Sequence, residues 1–129
     1  MAIVARAFLA AVNLLYAAAF GGPIDGTAWS VQVRQAGFFH WGSRQETIVF
    51  HDGRAVIAGA VAQGYATPYY DARPAADGTD FTVRLDDGER DPVVWTGRIR
   101  EGRIAGQVLI GRQGGRVTRY EFTGAQKSG

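Results

Sequence analysis

From Gly26 onward the chain is written in short runs of alternating apolar and polar residues, each closed by a turn signal. That period of two constrains the fold more than any other feature, because successive side chains of a strand point to opposite faces. The runs predict eight strands, at about 27–36, 45–52, 54–63, 67–74, 80–87, 92–101, 103–112 and 116–124. Composition agrees: 18 Gly against four Pro, with seven Phe, five Tyr and three Trp, suits strands and tight turns rather than a helical bundle. At 129 residues and 47% hydrophobic, the chain has the length of one domain and enough apolar side chains for a packed core. Eight strands joined in simple sequence predict an all-β, antiparallel up-and-down barrel, since closure removes exposed sheet edges.

Turn chemistry sets the expected register. Asp52-Gly53 and Glu101-Gly102 suit two-residue hairpin loops, and Asp87-Gly88 and Gly114-Gly115 mark further turns. The first pair places Phe50 opposite Ala55 and Ile48 opposite Ile57, with Ile57, Gly59 and Val61 sharing the inward face. The second places Trp95 opposite Val108, Gly97 opposite Gly106 and Ile99 opposite Ile104. In the last hairpin a two-residue loop would bring Arg119 against Ile110 on the wrong face. A three-residue loop, Gln113-Gly114-Gly115, sets Val108 against Tyr120 and Gly106 against Phe122. Trp29, Val31 and Val33 share the inward face of the first strand, and Phe81, Val83 and Leu85 that of the fifth.

Residues 1–22 differ from the rest. They carry one charge, Arg6, and the stretch AFLAAVNLLYAAAF over 7–20 is almost wholly apolar. A short basic start, an apolar core and small residues at Ala17 and Ala19 match a secretory signal peptide. A retained helical membrane anchor is the second reading, because twenty helical residues span roughly 30 Å. Either way residues 1–22 are expected to be an apolar helix and 23–129 the barrel domain, exported to the periplasm or outside the cell.

The segments GTAWSVQV, VVWTGRI, RIAGQVLI and VTRYEFTG resemble the small bacterial lipocalin-like (calycin-type) β-barrels over residues 26–124. The W-x-G and I-x-G hairpin is similar, more weakly, to avidin-type barrels. Gly26 and Trp29 are separated by two residues, where lipocalins carry G-x-W. The resemblance implies an up-and-down barrel that binds something small or another protein outside the cytoplasm.

Candidate chemistry is sparse. The chain has no cysteine, which excludes disulfides, thiolate metal sites and cysteine nucleophiles. Its two histidines, His40 and His51, and three serines, Ser30, Ser43 and Ser128, form no catalytic motif, so no enzyme is expected. No cofactor is implied. The acidic run Asp86, Asp87, Glu89, Asp91 lacks calcium-loop spacing and reads as a solvated turn. Thirteen of the 14 basic residues are Arg, but the formal net charge is only +2. The cluster Arg98, Arg100, Arg103, Arg112, Arg116, Arg119 is interrupted by Glu101 and Glu121 and reads as a solvated sheet face, without a nucleic-acid partner.

Two binding features remain. Phe38, Phe39 and Trp41 lie between Gly37 and Gly42, where they form either a lid or partner-contacting loop or a plug of the core. Inside the barrel, facing Gly97 and Gly106 leave space beside Trp95. Either a ring, Trp95 or Phe122, covers the glycines, or a small apolar ligand enters between Trp95, Tyr120 and Phe122. Tyr70, with Tyr65, Tyr69 and Asp71 around Pro68, would line the ligand mouth; ordinary strand aromatics are the simpler reading. The expected function is an exported, non-enzymatic barrel binding a small, largely apolar ligand. The alternative is an accessory subunit, held in the membrane by residues 1–20, whose barrel docks a protein partner.

Overall fold

The computed structural model describes residues 23–36 and 43–128. Within them run β1 (Thr27–Gln35), β2 (Arg44–His51), β3 (Arg54–Ile57), β4 (Tyr70–Ala75), β5 (Gly78–Leu85), β6 (Val93–Arg100), β7 (Arg103–Gly111) and β8 (Val117–Gln126). A short helix, α1 (Ala58–Ala62), follows β3, and a 3-10 turn covers Gln113–Gly115. The apolar helix expected within residues 1–22, and the loop residues Phe38, Phe39 and Trp41, lie outside the described residues.

The strands form one antiparallel sheet in the order β3-β2-β1-β8-β7-β6-β5-β4. β1 pairs with both β2 and β8, so first and last strands meet and the sheet curls into a nearly closed barrel. The seam lies between β3 and β4. It is held by the Arg54–Tyr69 bridge, whose two backbone bonds run from Ala55 N–H to the Pro68 carbonyl (2.9 Å) and from Tyr70 N–H to the Gly53 carbonyl (3.1 Å). Beyond the bridge β4 is an edge strand, and it carries Pro74, a residue confined in sheets to edges because it has no N–H to donate.

The hairpin registers follow the turn chemistry. Asp52 and Gly53 have φ of 51° and 74°, and Glu101 and Gly102 have 52° and 73°, the doubly left-handed geometry of a type I′ turn. Ile48 faces Ile57, Trp95 faces Val108, and Gly97 faces Gly106. In the last hairpin Arg112 N–H bonds the Arg116 carbonyl at 2.7 Å around the three-residue Gln113–Gly115 loop. This puts Val108 opposite Tyr120 and Gly106 opposite Phe122.

The third strand departs from expectation. It ends at Ile57 rather than reaching 63, and the chain turns into α1. Val61, expected inward, is 46% exposed. The cause lies on β2. Glu46 continues the inward row of Ile48 and Phe50, and it is buried. An extended β3 would place Gly59 directly opposite that carboxylate, leaving it the N–H of its own neighbour Thr47. By turning at Ala58 the chain offers the Gly59 N–H, which donates to Glu46 Oε1 at 2.9 Å, beside the Thr47 N–H at 3.1 Å. A buried carboxylate needs such donors, and the alanines of AGAVA allow a helical turn at small cost.

The interior is filled by a column of rings. Tyr70 and Phe50 meet edge-on at 4.9 Å, Phe50 and Phe81 at 5.4 Å, Phe81 and Phe122 at 6.3 Å, and Phe122 and Trp95 at 5.1 Å. Phe122 is the ring that covers the facing glycines. A Cβ added at Gly97 would lie 3.0 Å from both Phe122 Cζ and Phe81 Cε1, and one at Gly106 would lie 2.9 Å from Phe122 Cζ.

Candidate functional site

The two ends of the barrel differ. At one end the connections are the two-residue turns Asp52-Gly53, Ala76-Asp77 and Glu101-Gly102. At the other lie the longer connections: 36–43, the α1-containing segment 58–69, 86–92 and 112–116. Asp25 and Tyr70 close the first end. The Tyr70 hydroxyl donates to Asp25 Oδ1 at 2.7 Å, and Gly53 N–H donates to both Asp25 oxygens at 3.0 Å, tying the β2–β3 turn to the start of β4.

The opposite end opens into a cavity of about 880 Å³. Its wall is made by the last inward-facing residues of the central strands: Val33 from β1, Val93 from β6, Val108 and Ile110 from β7, and Tyr120 from β8. These are aligned by pairing, since Val93 faces Ile110 and Val108 faces Tyr120. Strand alternation thus delivers an apolar lining without any special motif.

The rim is polar and ionic. Tyr65 comes in from the α1–β4 segment, and its hydroxyl donates to the Asp91 carbonyl at 2.7 Å. Burial raises the Tyr65 phenol above its ordinary range, and the nearby Asp87 and Asp91 charges push the same way. The Arg90 guanidinium sits 5.5 Å from the Tyr65 ring centroid and pairs with Asp87. Asp87 also accepts the Glu89 and Arg90 backbone N–H groups at 2.9 and 2.8 Å, and these bonds lower its carboxyl to about 2. Arg112 reaches Asp91 at 3.2 Å across the rim. Arg34, Gln35, Ser43, Arg44, Gln63 and Glu89 complete the lining. Among the described residues no group of His, Asp and Glu is arranged to hold a metal ion; the acidic run serves the 86–91 turn instead.

The structure distributes the residues singled out from sequence. Tyr120 lines the cavity. Trp95 and Phe122 are 3% and 1% exposed within the ring column, with Gly97 and Gly106 against Phe122. A shallow depression of about 550 Å³ crosses the outer sheet surface over Gly97 and Gly106, walled by outward residues such as Asp80, Arg98 and Gln107. The three tyrosines around Pro68 are separated: Tyr65 at the cavity, Tyr70 at the closed end, and Tyr69 65% exposed beneath the Arg54 guanidinium at 4.2 Å. His51 is exposed beside Asp52 at the closed end. Ser30 accepts a bond from Gln45 Nε2 at 2.9 Å and Ser43 donates to Gln32 Oε1 at 3.0 Å.

Sequence reading overlooked Glu46 and Arg44. Both were within reach of the alternation argument, since stepping back by two from Phe50 and Ile48 gives Glu46 and then Arg44 on the inward row. A comparison of the chain with known protein families, with curated proteins and with solved structures finds no significant match.

Proposed function

We propose that this chain is an exported, non-enzymatic β-barrel of lipocalin-like type that binds a small, largely apolar ligand at its open end. The observation that carries the reading is the cavity itself. Its volume of about 880 Å³ falls in the roughly 300–1,000 Å³ range of small-molecule sites, and it joins an apolar wall of Val33, Val93, Val108 and Ile110 to a rim rich in polar and charged side chains. The ring column fills the barrel beneath it, so the ligand occupies the end of the barrel and Tyr120 is its principal aromatic contact. Export is supported by the apolar run 7–20.

The test is a filled cavity. Ile110 is half-buried in the wall, so Ile110→Trp places an indole in the hollow. Binding of an apolar fluorescent probe should fall at least tenfold while the melting temperature holds. Undiminished probe binding would refute the location. Native mass spectrometry of protein from its own source then identifies the ligand. The second reading, an accessory subunit held by residues 1–20 with the barrel docking a protein partner, rests on the same apolar run. A native chain beginning at Phe20 or Gly21 supports secretion, whereas an intact N-terminus in the membrane fraction supports the subunit.

A further inference from the structure

We infer that two copies of this chain associate through the outer face of β6, β7 and β8 near the open end, about a twofold axis parallel to the strands. This surface lies outside the barrel, so the inference is independent of what the cavity holds.

Strand pairing assembles the face. Val94 and Leu109 alternate with the cavity-lining Val93, Val108 and Ile110, and Arg119 and Val117 lie on the side of β8 opposite Tyr120. Across the sheet this outward row runs Arg84, Val94, Leu109, Arg119. Nearer the open end it is joined by Pro92, Gly111 and Val117. Gly111 pairs with Val117 and donates its N–H to the Pro92 carbonyl at 2.9 Å, and a Cβ on Gly111 would stand 3.1 Å from Pro92 Cγ. Val117 is 62% exposed. The next outward row toward the closed end, Thr82, Thr96, Gln107 and Glu121, is polar. The apolar outward side chains of these strands therefore gather at the rim, where water is displaced only by a partner.

The charges beside them are divided by sign. Arg116 and Arg119 stand on the β8 flank, and Asp86 and Glu89 on the β5 flank. All four are exposed, and none forms an ion pair among the described residues, although Asp86 Oδ1 accepts the Gly88 N–H. Arg90 and Asp87, and Arg112 and Asp91, are closed pairs. Arg84 offsets one of the two acids, which leaves the β5 flank at −1 against +2 on the β8 flank. Glu121, the next outward residue of β8, has Arg34 in register beside it.

Opposite charges on opposite flanks of an apolar centre make the face complementary to itself. A twofold axis lying in the face and parallel to the strands sets the β8 flank of each copy against the β5 flank of the other, so both contacts join unlike charges. An axis across the strands would set like flanks together. The charge pattern thus selects the first arrangement, in which the two cavities open to the same side. The face engages fewer residues than the roughly 20–30 per side of a standard interface. The dimer is therefore weak and salt-sensitive, with a dissociation constant between roughly 1 μM and 1 mM.

The experiment is sedimentation equilibrium of the full chain and of two charge-reversed variants, Arg116→Glu/Arg119→Glu and Asp86→Lys/Glu89→Lys. The parent should dimerise with concentration, and more weakly as salt is raised. Each variant alone sets like charges together at both contacts and should stay monomeric where the parent dimerises. An equimolar mixture of the two should dimerise again, because both contacts of the mixed pair join unlike charges. Leu109→Asp, which places two carboxylates beside the axis and leaves the 86–92 turn untouched, should weaken the parent dimer at least roughly tenfold. A parent monomeric at about 1 mM, a Leu109→Asp dimer as tight as the parent, or charge-reversed variants that dimerise like the parent overturn the inference. So does a mixture that stays monomeric while both variants keep the parent's far-UV circular dichroism.

Discussion

Replacing Gly97 by Val tests whether the barrel interior is filled. The new Cβ would stand 2.6 Å from the Ala105 carbonyl oxygen and 3.0 Å from Phe122 Cζ and Phe81 Cε1, whereas ordinary contacts begin at 3.4 Å. Each ring must therefore retreat by 3.4 − 3.0 = 0.4 Å for the first carbon alone, and two methyls follow it. Neither ring has room to retreat, since Phe122 is held by Trp95 at 5.1 Å and Phe81 by Phe50 at 5.4 Å. Overpacking of this kind costs about 1–3 kcal/mol, and the intruded carbonyl argues for the upper end. Against it stands the gain from replacing glycine by a β-branched residue in a strand, about 1 kcal/mol. The net expectation is a loss of about 2 kcal/mol. For a barrel of roughly 100 residues that lowers the melting temperature by about 8–16 °C. Thermal melts followed by far-UV circular dichroism measure it. Gly97→Ala should lose less, and Phe122→Leu should be less costly in the Gly97→Val background than alone, with a coupling of at least about 0.5 kcal/mol. A Gly97→Val barrel as stable as the parent, or more so, would show that the rings do not occupy this space.

Three further outcomes follow from the same geometry. Glu46→Ala removes the acceptor for two backbone N–H groups and should cost about 2 kcal/mol, with faster amide exchange at Gly59–Ala62; Glu46→Gln keeps an acceptor and should lose less, and unchanged exchange in both would refute the role given to Glu46. Tyr70→Phe deletes the 2.7 Å bond to Asp25 while sparing the ring contact with Phe50, so a urea midpoint shift worth about 1–2 kcal/mol is expected, and no shift would mean that this bond does not hold the closed end. Asp87 has its carboxyl lowered to about 2 from an ordinary 3.8, so its stabilisation of the 86–91 turn is fully present above about pH 4 and is lost as the pH falls through about 2; the amide resonances of Glu89 and Arg90 should titrate with that low midpoint, and a midpoint near 3.8 would contradict the bonding assigned to it.

Much of the barrel was legible in the sequence because its determinants are local. Period-two alternation names the buried face of each strand, and paired residues such as Asp52-Gly53 and Glu101-Gly102 select type I′ turns that admit one register. From these alone Ile48 meets Ile57, Gly97 meets Gly106, and Val108 meets Tyr120. The facing glycines also announced that a ring or a hollow had to sit over them. What could not be read is whatever depends on residues distant in sequence competing for one volume. The strand pattern of AVIAGAVA runs on past Ile57, but Glu46, eleven positions earlier on the neighbouring strand, takes the Gly59 N–H that the helical turn presents beside that of Thr47. Phe122 rather than Trp95 covers the glycines because it stands in register with Gly106, as Phe81 does with Gly97, whereas Trp95 faces Val108. Tyr65, Tyr69 and Tyr70 are neighbours in sequence yet part company, because the segment between α1 and β4 runs the length of the seam from the open end to the closed one. Alternation states which way a side chain points; only the closed barrel determines how much room remains there, and that is why the hollow lies at the rim beside Tyr120 and not among the rings beneath it.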